Sequence, residues 1–391
     1  MNKLLLLIFA FHYCLVLRAQ NATPYALWQD DSTNQYYFVR INAATGVKSN
    51  IAAIPGLSFF VAGSATAYNS DHDYYHFAGM ENTTQRFYTI DVFSGNVIYN
   101  PVLSDIVVGI EYNCNDSTLY GIRVIGNTYD LVTIDPVTGT FTSITALTNM
   151  NAYVAESFTL DLRQSLYSFV ALSAPSYYLR SYSIPGGTLV YDKLFPDNLT
   201  AYHYSCTDSA VYALWENGIN YNLRKVDPAT GTHTLAGVLT GVVPGYTTES
   251  SVINSFGEYV YRGFNSNNDF SLITIDISTG TVISVVPTTD NAVGFEEGIC
   301  CYDTSGTVSV YFPDVENNIS IYPNPVADEL QILFKNDLIN SVRITDATGR
   351  VLLEKEVNAE MFVQKLDVAK GIYFVEVRSA KQTFLRKIVK L

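Results

Sequence analysis

The residues with the most chemical potential in this chain are its cysteines. When the segments around them are aligned on the aspartate two residues downstream, Cys114, Cys206 and Cys301 occupy one equivalent position. Thiolates are soft ligands, so three of them converging would suit a soft metal. The preferred reading is a slot that takes a small apolar residue. Equivalent positions held apart by symmetry also fail the close Cα approach that a disulfide requires, and the vicinal pair Cys300 and Cys301 reads as incidental. His72 and His76 stand four apart between carboxylates in Asp71-His-Asp-Tyr-Tyr-His76. This stretch reads as a turn into a strand, where residues i and i+4 lie about 13 Å apart, too far to share a metal. Asp91, Asp135, Asp227 and Asp276 resemble calcium ligands by type alone. Each stands singly where a turn needs a side-chain cap, not in an oxygen-rich loop. The sequence therefore offers no metal site, no cofactor site and no catalytic constellation such as a nucleophile elbow.

The elements that would position any site are repeated. Leu131-Val-Thr-Ile-Asp-Pro-Val-Thr-Gly139 recurs as Leu223-Arg-Lys-Val-Asp-Pro-Ala-Thr-Gly231 and Leu272-Ile-Thr-Ile-Asp-Ile-Ser-Thr-Gly280, with weaker copies ending at Gly46, Gly95 and Gly187. Each copy encodes a β-hairpin. A strand ends at Asp or Asn, which caps the turn, and the glycine supplies the positive φ of a short loop. Upstream of each lies an aromatic strand, such as Tyr25-Ala-Leu-Trp28 and its verbatim twin Tyr212-Ala-Leu-Trp215. Before five of the six lies a further short strand, and a spare copy follows the last repeat at Gly298–Asp303. Four strands per repeat of about 47 residues is the size of a propeller blade. The pattern predicts an all-β chain with a β-propeller of six blades, seven being the alternative if Thr307–Phe312 joins a further blade. The spare strand should pair with the first repeat and close the ring, which removes exposed edges.

The two ends differ from this middle. Lys3 followed by the apolar stretch Leu4–Leu17, with Ala19 before a plausible cleavage point, reads as a signal peptide over residues 1–19. No later run is apolar and long enough for a membrane span, so none is expected in the mature chain. The formal charge of −14 is concentrated in residues 20–317, which hold 10 basic and 28 acidic groups. Such a domain lacks the cations needed to neutralise phosphates, which excludes nucleic acid as a partner.

From residue 317 the composition turns Lys-richer, and alternating strands are separated by Pro, Asp-x-x-Gly and Lys-Gly turns, the pattern of a small Ig-like β-sandwich. Four landmarks occur in order: Tyr322-Pro323-Asn324-Pro325, the turn at Gly349-Arg350, Lys370-Gly371-Ile-Tyr-Phe374, and the basic terminus with Lys387 and Lys390. This segment resembles the type A C-terminal sorting domain of type IX secretion substrates of Bacteroidetes. The resemblance implies recognition by the type IX secretion machinery and an extracellular or outer-surface location. The middle also resembles, more loosely, repeat propellers built on Ile-Asp-Pro-x-Thr-Gly hairpins. The resulting division is a signal peptide at 1–19, a propeller at 20–316 and a sorting domain at 317–391.

These observations favour a secreted or surface-displayed binding or scaffold module, with a glycan or protein as ligand, over an enzyme. The many tyrosines point the same way, because a tyrosine in a loop can both stack and hydrogen-bond. The competing expectation is an extracellular hydrolase or lyase acting on a polymer, with acids converging on the propeller channel. Trp28 and Trp215 are expected in the blade core.

Overall fold

The computed structural model describes residues 23–297 and 319–390, apart from 62–63, 196–198, 218–219, 255, 289–290, 323–325, 327, 335–337, 347–349 and 380–382. The signal peptide and the segment from 298 to 318 therefore lie outside the described residues, as do Cys300, Cys301 and Thr307–Phe312. The chain divides into two compact units, one up to Ser305 and one from Gly306.

The first unit is a ring of six antiparallel blades, with no helix among the described residues. Each blade is a meander of four strands running outward from the axis, and in blades 2 and 4 the innermost strand is broken in two. Blade 3 is representative, with Ile106–Asn113 innermost, then Thr118–Ile125, Thr128–Ile134 and Phe141–Ala146 outermost. Blade 1 is composite. Its innermost strand, Ala292–Glu296, comes from the far end of the repeat region and pairs with Tyr25–Asp30. Closure of the ring by a strand from the far end thus occurs. The described closing strand lies just upstream of the stretch expected to do it, Gly298–Asp303, which is outside the described residues.

The sequence pattern of the strands follows from their place in a blade. Second strands are covered on both faces by neighbouring blades, so Leu166–Ala171 is buried at every position. Outermost strands face solvent and alternate, as in Thr281–Pro287. The six turn glycines have φ between +67° and +72°. Each donates its N–H to the carbonyl of the residue four before it, for example Gly139 to Asp135 at 2.8 Å. The preceding carboxylate caps the same turn. Asp135 Oδ1 accepts from Val137 N at 2.9 Å and Asp227 Oδ1 from Ala229 N at 2.9 Å. The Thr138 hydroxyl, which donates to Asp135 Oδ2 at 2.7 Å, and then the Val137 N–H hold the Asp135 carboxyl below its usual range. The repeated aspartates thus spend their oxygens on the turn.

The second unit is a two-sheet sandwich. One sheet contains Ile319–Tyr322, Glu329–Phe334 and Met361–Lys365. The other runs Val351–Ala359, Ile339–Asp346, Gly371–Arg378, Thr383–Lys390. Leu330, Ile332, Phe334, Val342, Val375 and Ile388 fill the space between the sheets.

Candidate ligand site on the propeller axis

The innermost strands do not run straight. Ser64, Gly109, Glu156, Ala201 and Gly294 each adopt a positive φ of 52° to 67°, bulging the innermost strand of blades 2, 3, 4, 5 and 1 in turn. A bulge frees a carbonyl, and the next blade satisfies it. In blades 1, 3 and 5 the donor is a tyrosine hydroxyl from the following blade. Tyr75 donates to Gly294 O at 2.5 Å, Tyr167 to Gly109 O, and Tyr259 to Ala201 O at 2.5 Å. In blades 2 and 4 it is a backbone N–H, Ile110 to Ser64 O at 2.7 Å and Tyr202 to Glu156 O at 3.0 Å. The ring therefore has a two-blade period, the same period that the sequence showed in Cys114 and Cys206.

These bulged strands wall an axial cavity of about 90 Å³ to which all six blades contribute, including Tyr68, Glu111, Thr159, His203, Val252 and Glu297. A second cavity of about 60 Å³ shares Glu111, His203 and Glu296 and adds Glu156 and Ser251. Glu296 is fixed by Thr66, whose hydroxyl donates to Oε1 at 2.7 Å. Desolvation drives the Glu111 carboxyl well above the carboxylate range, and repulsion from Glu296 adds to it. Burial likewise raises Glu297 to about 7, against the pull of Arg40 and with a push from Glu258. His203 Nε2 lies 2.8 Å from Ser251 Oγ, and burial lowers its pKa to about 4, so the imidazole is neutral at pH 7. The chamber thus combines a carboxyl raised by burial, a second carboxyl held by a hydroxyl and a neutral imidazole.

Sequence reasoning left open a convergence of acids but named none of these side chains. Their signal was a polar residue inside an apolar strand, as in Ile110-Glu111-Tyr112 and Tyr202-His203-Tyr204. Glu111 and His203 even hold equivalent positions, three residues before Cys114 and Cys206.

Other expectations need correction or relocation. Cys114 and Cys206 are each disulfide-bonded. Their bonding corrects the expectation that symmetry keeps these cysteines from the close approach a disulfide requires. Tyrosine is largely a core residue here, because Tyr75, Tyr88, Tyr120, Tyr167, Tyr202, Tyr259 and Tyr261 are all fully buried. The supposed wealth of loop tyrosines therefore gives little support to a stacking surface. His76 is buried on a strand, its Nδ1 3.0 Å from Thr89 Oγ1, while His72 lies in the turn before it. Trp28 and Trp215 are half-buried at the edges of core clusters, with Lys48 Nζ 3.0 Å from the Trp28 ring centre and the Arg224 guanidinium 4.3 Å from that of Trp215. No group of three or more metal-ligating side chains occurs among the described residues.

In the second unit, Tyr322 ends the first strand, and Pro323, Asn324, Pro325 and Gly349 lie outside the described residues. Arg350 Nε sits 3.0 Å from Asp346 Oδ2. Lys370 is exposed directly before the strand Gly371–Arg378, and Lys387 and Lys390 belong to the final strand paired with it.

The fold and the C-terminal unit define a secreted β-propeller that carries a C-terminal sorting module. Residues 320–391 match the secretion system C-terminal sorting domain family. The chain is a type IX secretion substrate, exported to the cell surface or the extracellular space. Residues 19–159 match a repeat family of unknown function. Comparison with curated proteins finds no match. Among solved structures, TolB from Acinetobacter baumannii is similar with a TM-score of 0.52 at 12% identity, over 70% of this chain and 65% of that one. This chain thus spans slightly less than two thirds of TolB, and the likeness is one of fold. A nidogen/laminin complex is similar with a TM-score of 0.48 at 10% identity, over 68% of this chain and 94% of that one.

Proposed function

We propose that the secreted propeller is a binding module whose ligand, a glycan or a protein, presents a small polar group to the axial chamber. The observation that carries this reading is the pairing of Glu111 with Glu296 in a cavity of about 90 Å³. A carboxyl raised by burial donates a hydrogen bond while it holds its proton, and a second carboxyl accepts one, so two such groups read a hydroxyl or amide by both its faces. On the same measure one water needs about 10–15 Å³, so the cavity has room for a side-chain tip or one sugar corner. A few placed polar groups in an otherwise closed pocket are what orient a ligand.

The test is binding of the mature chain to a glycan array and to extracellular protein extracts, with the same samples analysed for cleaved products. Saturable binding without products, weakened about ten-fold by Glu111→Ala or Glu296→Gln, is expected, the loss of one hydrogen bond being of that order. Binding unaffected by either substitution would place the ligand elsewhere.

One observation favours a second reading, an extracellular hydrolase or lyase. A raised carboxyl that shares a cavity with a second acid is the arrangement from which such chemistry separates acid and base roles. Product formation in the same assay, abolished by Glu111→Gln, would replace the binding reading with this one.

A further inference from the structure

The two-blade period of the ring allows one blade to be compared with another, and blade 3 lacks something that blades 1 and 5 have. In these three blades Tyr25, Tyr120 and Tyr212 stand at one equivalent position on the second strand, and their cross-strand partners are Arg40, Thr133 and Lys225. In blades 1 and 5 the partner is a cation lying over the tyrosine. The Arg40 guanidinium is 5.5 Å from the Tyr25 ring centre and the Lys225 ammonium 5.9 Å from that of Tyr212. In blade 3 the partner is the short, neutral Thr133.

The acid that this cation serves is present in both blades 3 and 5. Tyr120 donates to Asp116 Oδ2 at 2.7 Å, and Tyr212 donates to Asp208 Oδ2 at 2.7 Å. Lys225 Nζ completes the blade 5 arrangement 2.8 Å from the same Asp208 oxygen. Asp116, its counterpart, is exposed. Where the lysine stem is missing, a groove of about 240 Å³ opens, walled by Asn69 of blade 2 and by Tyr112, Ser117, Thr133, Asp135 and Thr142 of blade 3, with the exposed Asp116 directly before the wall residue Ser117. Blade 5 therefore holds, built into its own chain, the occupant that blade 3 lacks.

We infer that the blade 3 groove binds a primary ammonium group on an extended alkyl chain, the group a lysine side chain of a partner protein presents. The stem lies along the threonine-lined wall as the Lys225 stem lies in blade 5. The ammonium ion-pairs with the exposed Asp116, gaining a charge-assisted hydrogen bond. The net charge of −18 on residues 20–317 steers such a cation towards the propeller. This site shares the wall residue Tyr112 with the axial chamber but does not depend on that chamber's role.

The test is a ligand-observed NMR titration of the mature chain with Nα-acetyl-lysine methylamide, alongside its Nε-acetylated form as the neutral control. Saturable binding of the charged probe is expected, weakened at least about ten-fold by Asp116→Asn and by Nε-acetylation. Thr133→Lys should abolish it as well, because it installs the blade 5 occupant covalently. This substitution reproduces a residue pair the fold already carries, so a normal thermal melt is expected with it. Asp208→Asn should leave binding unchanged. Absence of saturable binding by the wild type, undiminished binding by a folded Thr133→Lys variant, or equal binding of the neutral probe would overturn the inference.

Discussion

Tyr259 of blade 6 donates its hydroxyl to the carbonyl of Ala201 in blade 5, 58 residues earlier, at 2.5 Å. Ala201 is a non-glycine residue at φ 56°, so this contact caps a bulge that the chain would not adopt unaided. The same bond recurs between Tyr167 and Gly109, and between Tyr75 and Gly294. Tyr259→Phe keeps the ring and leaves a buried carbonyl without its partner. We expect a loss of about 1–3 kcal/mol, measured by chemical denaturation. A loss below about 0.5 kcal/mol would mean that water or a relaxed strand replaces the hydroxyl.

Glycines at positive φ should differ in their tolerance according to what surrounds them. A Cβ on Gly280 would run into the backbone of Ala236 and Gly237, whereas one on Gly126 would meet nothing within 4 Å. Both residues have positive φ, +67° and +59°. Gly126→Ala should cost about 1 kcal/mol through backbone strain alone. Gly280→Ala should cost at least about 2 kcal/mol, since the neighbouring strand must also shift. Equal melting temperatures for the two variants would contradict this.

Glu297 makes the propeller less stable as the pH rises. Its folded pKa of about 7 exceeds the ordinary value of 4.5, so between these limits the folded state binds more protons than the unfolded state. Stability contributed by the neutral carboxyl is present below pH 4.5 and is lost as the pH rises through 7. Glu297→Gln removes this loss. The variant should match the wild type near pH 4.5 and exceed it at pH 8 by at most about 3 kcal/mol, discounted for partial exposure. Parallel stability curves from pH 4.5 to 8 would show that the burial of Glu297 is relieved by solvent.

His76 acts in the opposite direction. Burial lowers its pKa to about 3, so it folds neutral and the unfolded chain takes up the proton below pH 6.5. Its contribution is complete above that value and is lost as the pH falls towards 3. His76→Gln, which keeps a polar partner for Thr89, should flatten the acid side of the stability profile.

The disulfide bonding of Cys114 and Cys206 should also be visible in solution. Cys206→Ser should lower stability by about 2–4 kcal/mol. An unchanged denaturation midpoint, with the expected mass, would mean that the bond adds no constraint to the unfolded chain.

Much of the molecule was legible in the sequence because its information is local. The turn at Asp135–Gly139 needs only an acceptor, a preset φ at Pro136 and a residue free to adopt positive φ, all within five positions. Repetition of that unit then gave the blade, the blade count and the ring. The C-terminal module was legible for a similar reason, since its landmarks at Tyr322, Arg350, Lys370 and Lys390 follow in order along the chain. The axial chamber was not legible. Glu111 and Glu296 are 185 positions apart, and only ring closure by Ala292–Glu296 against Tyr25–Asp30 brings them together. A carboxyl announces its type in the sequence, but its desolvation and its repelling neighbour come from the other blades. The same holds for Thr133. As a residue it is an ordinary strand threonine, and it becomes a vacancy only beside Lys225 and Arg40 in blades that the tertiary structure makes equivalent.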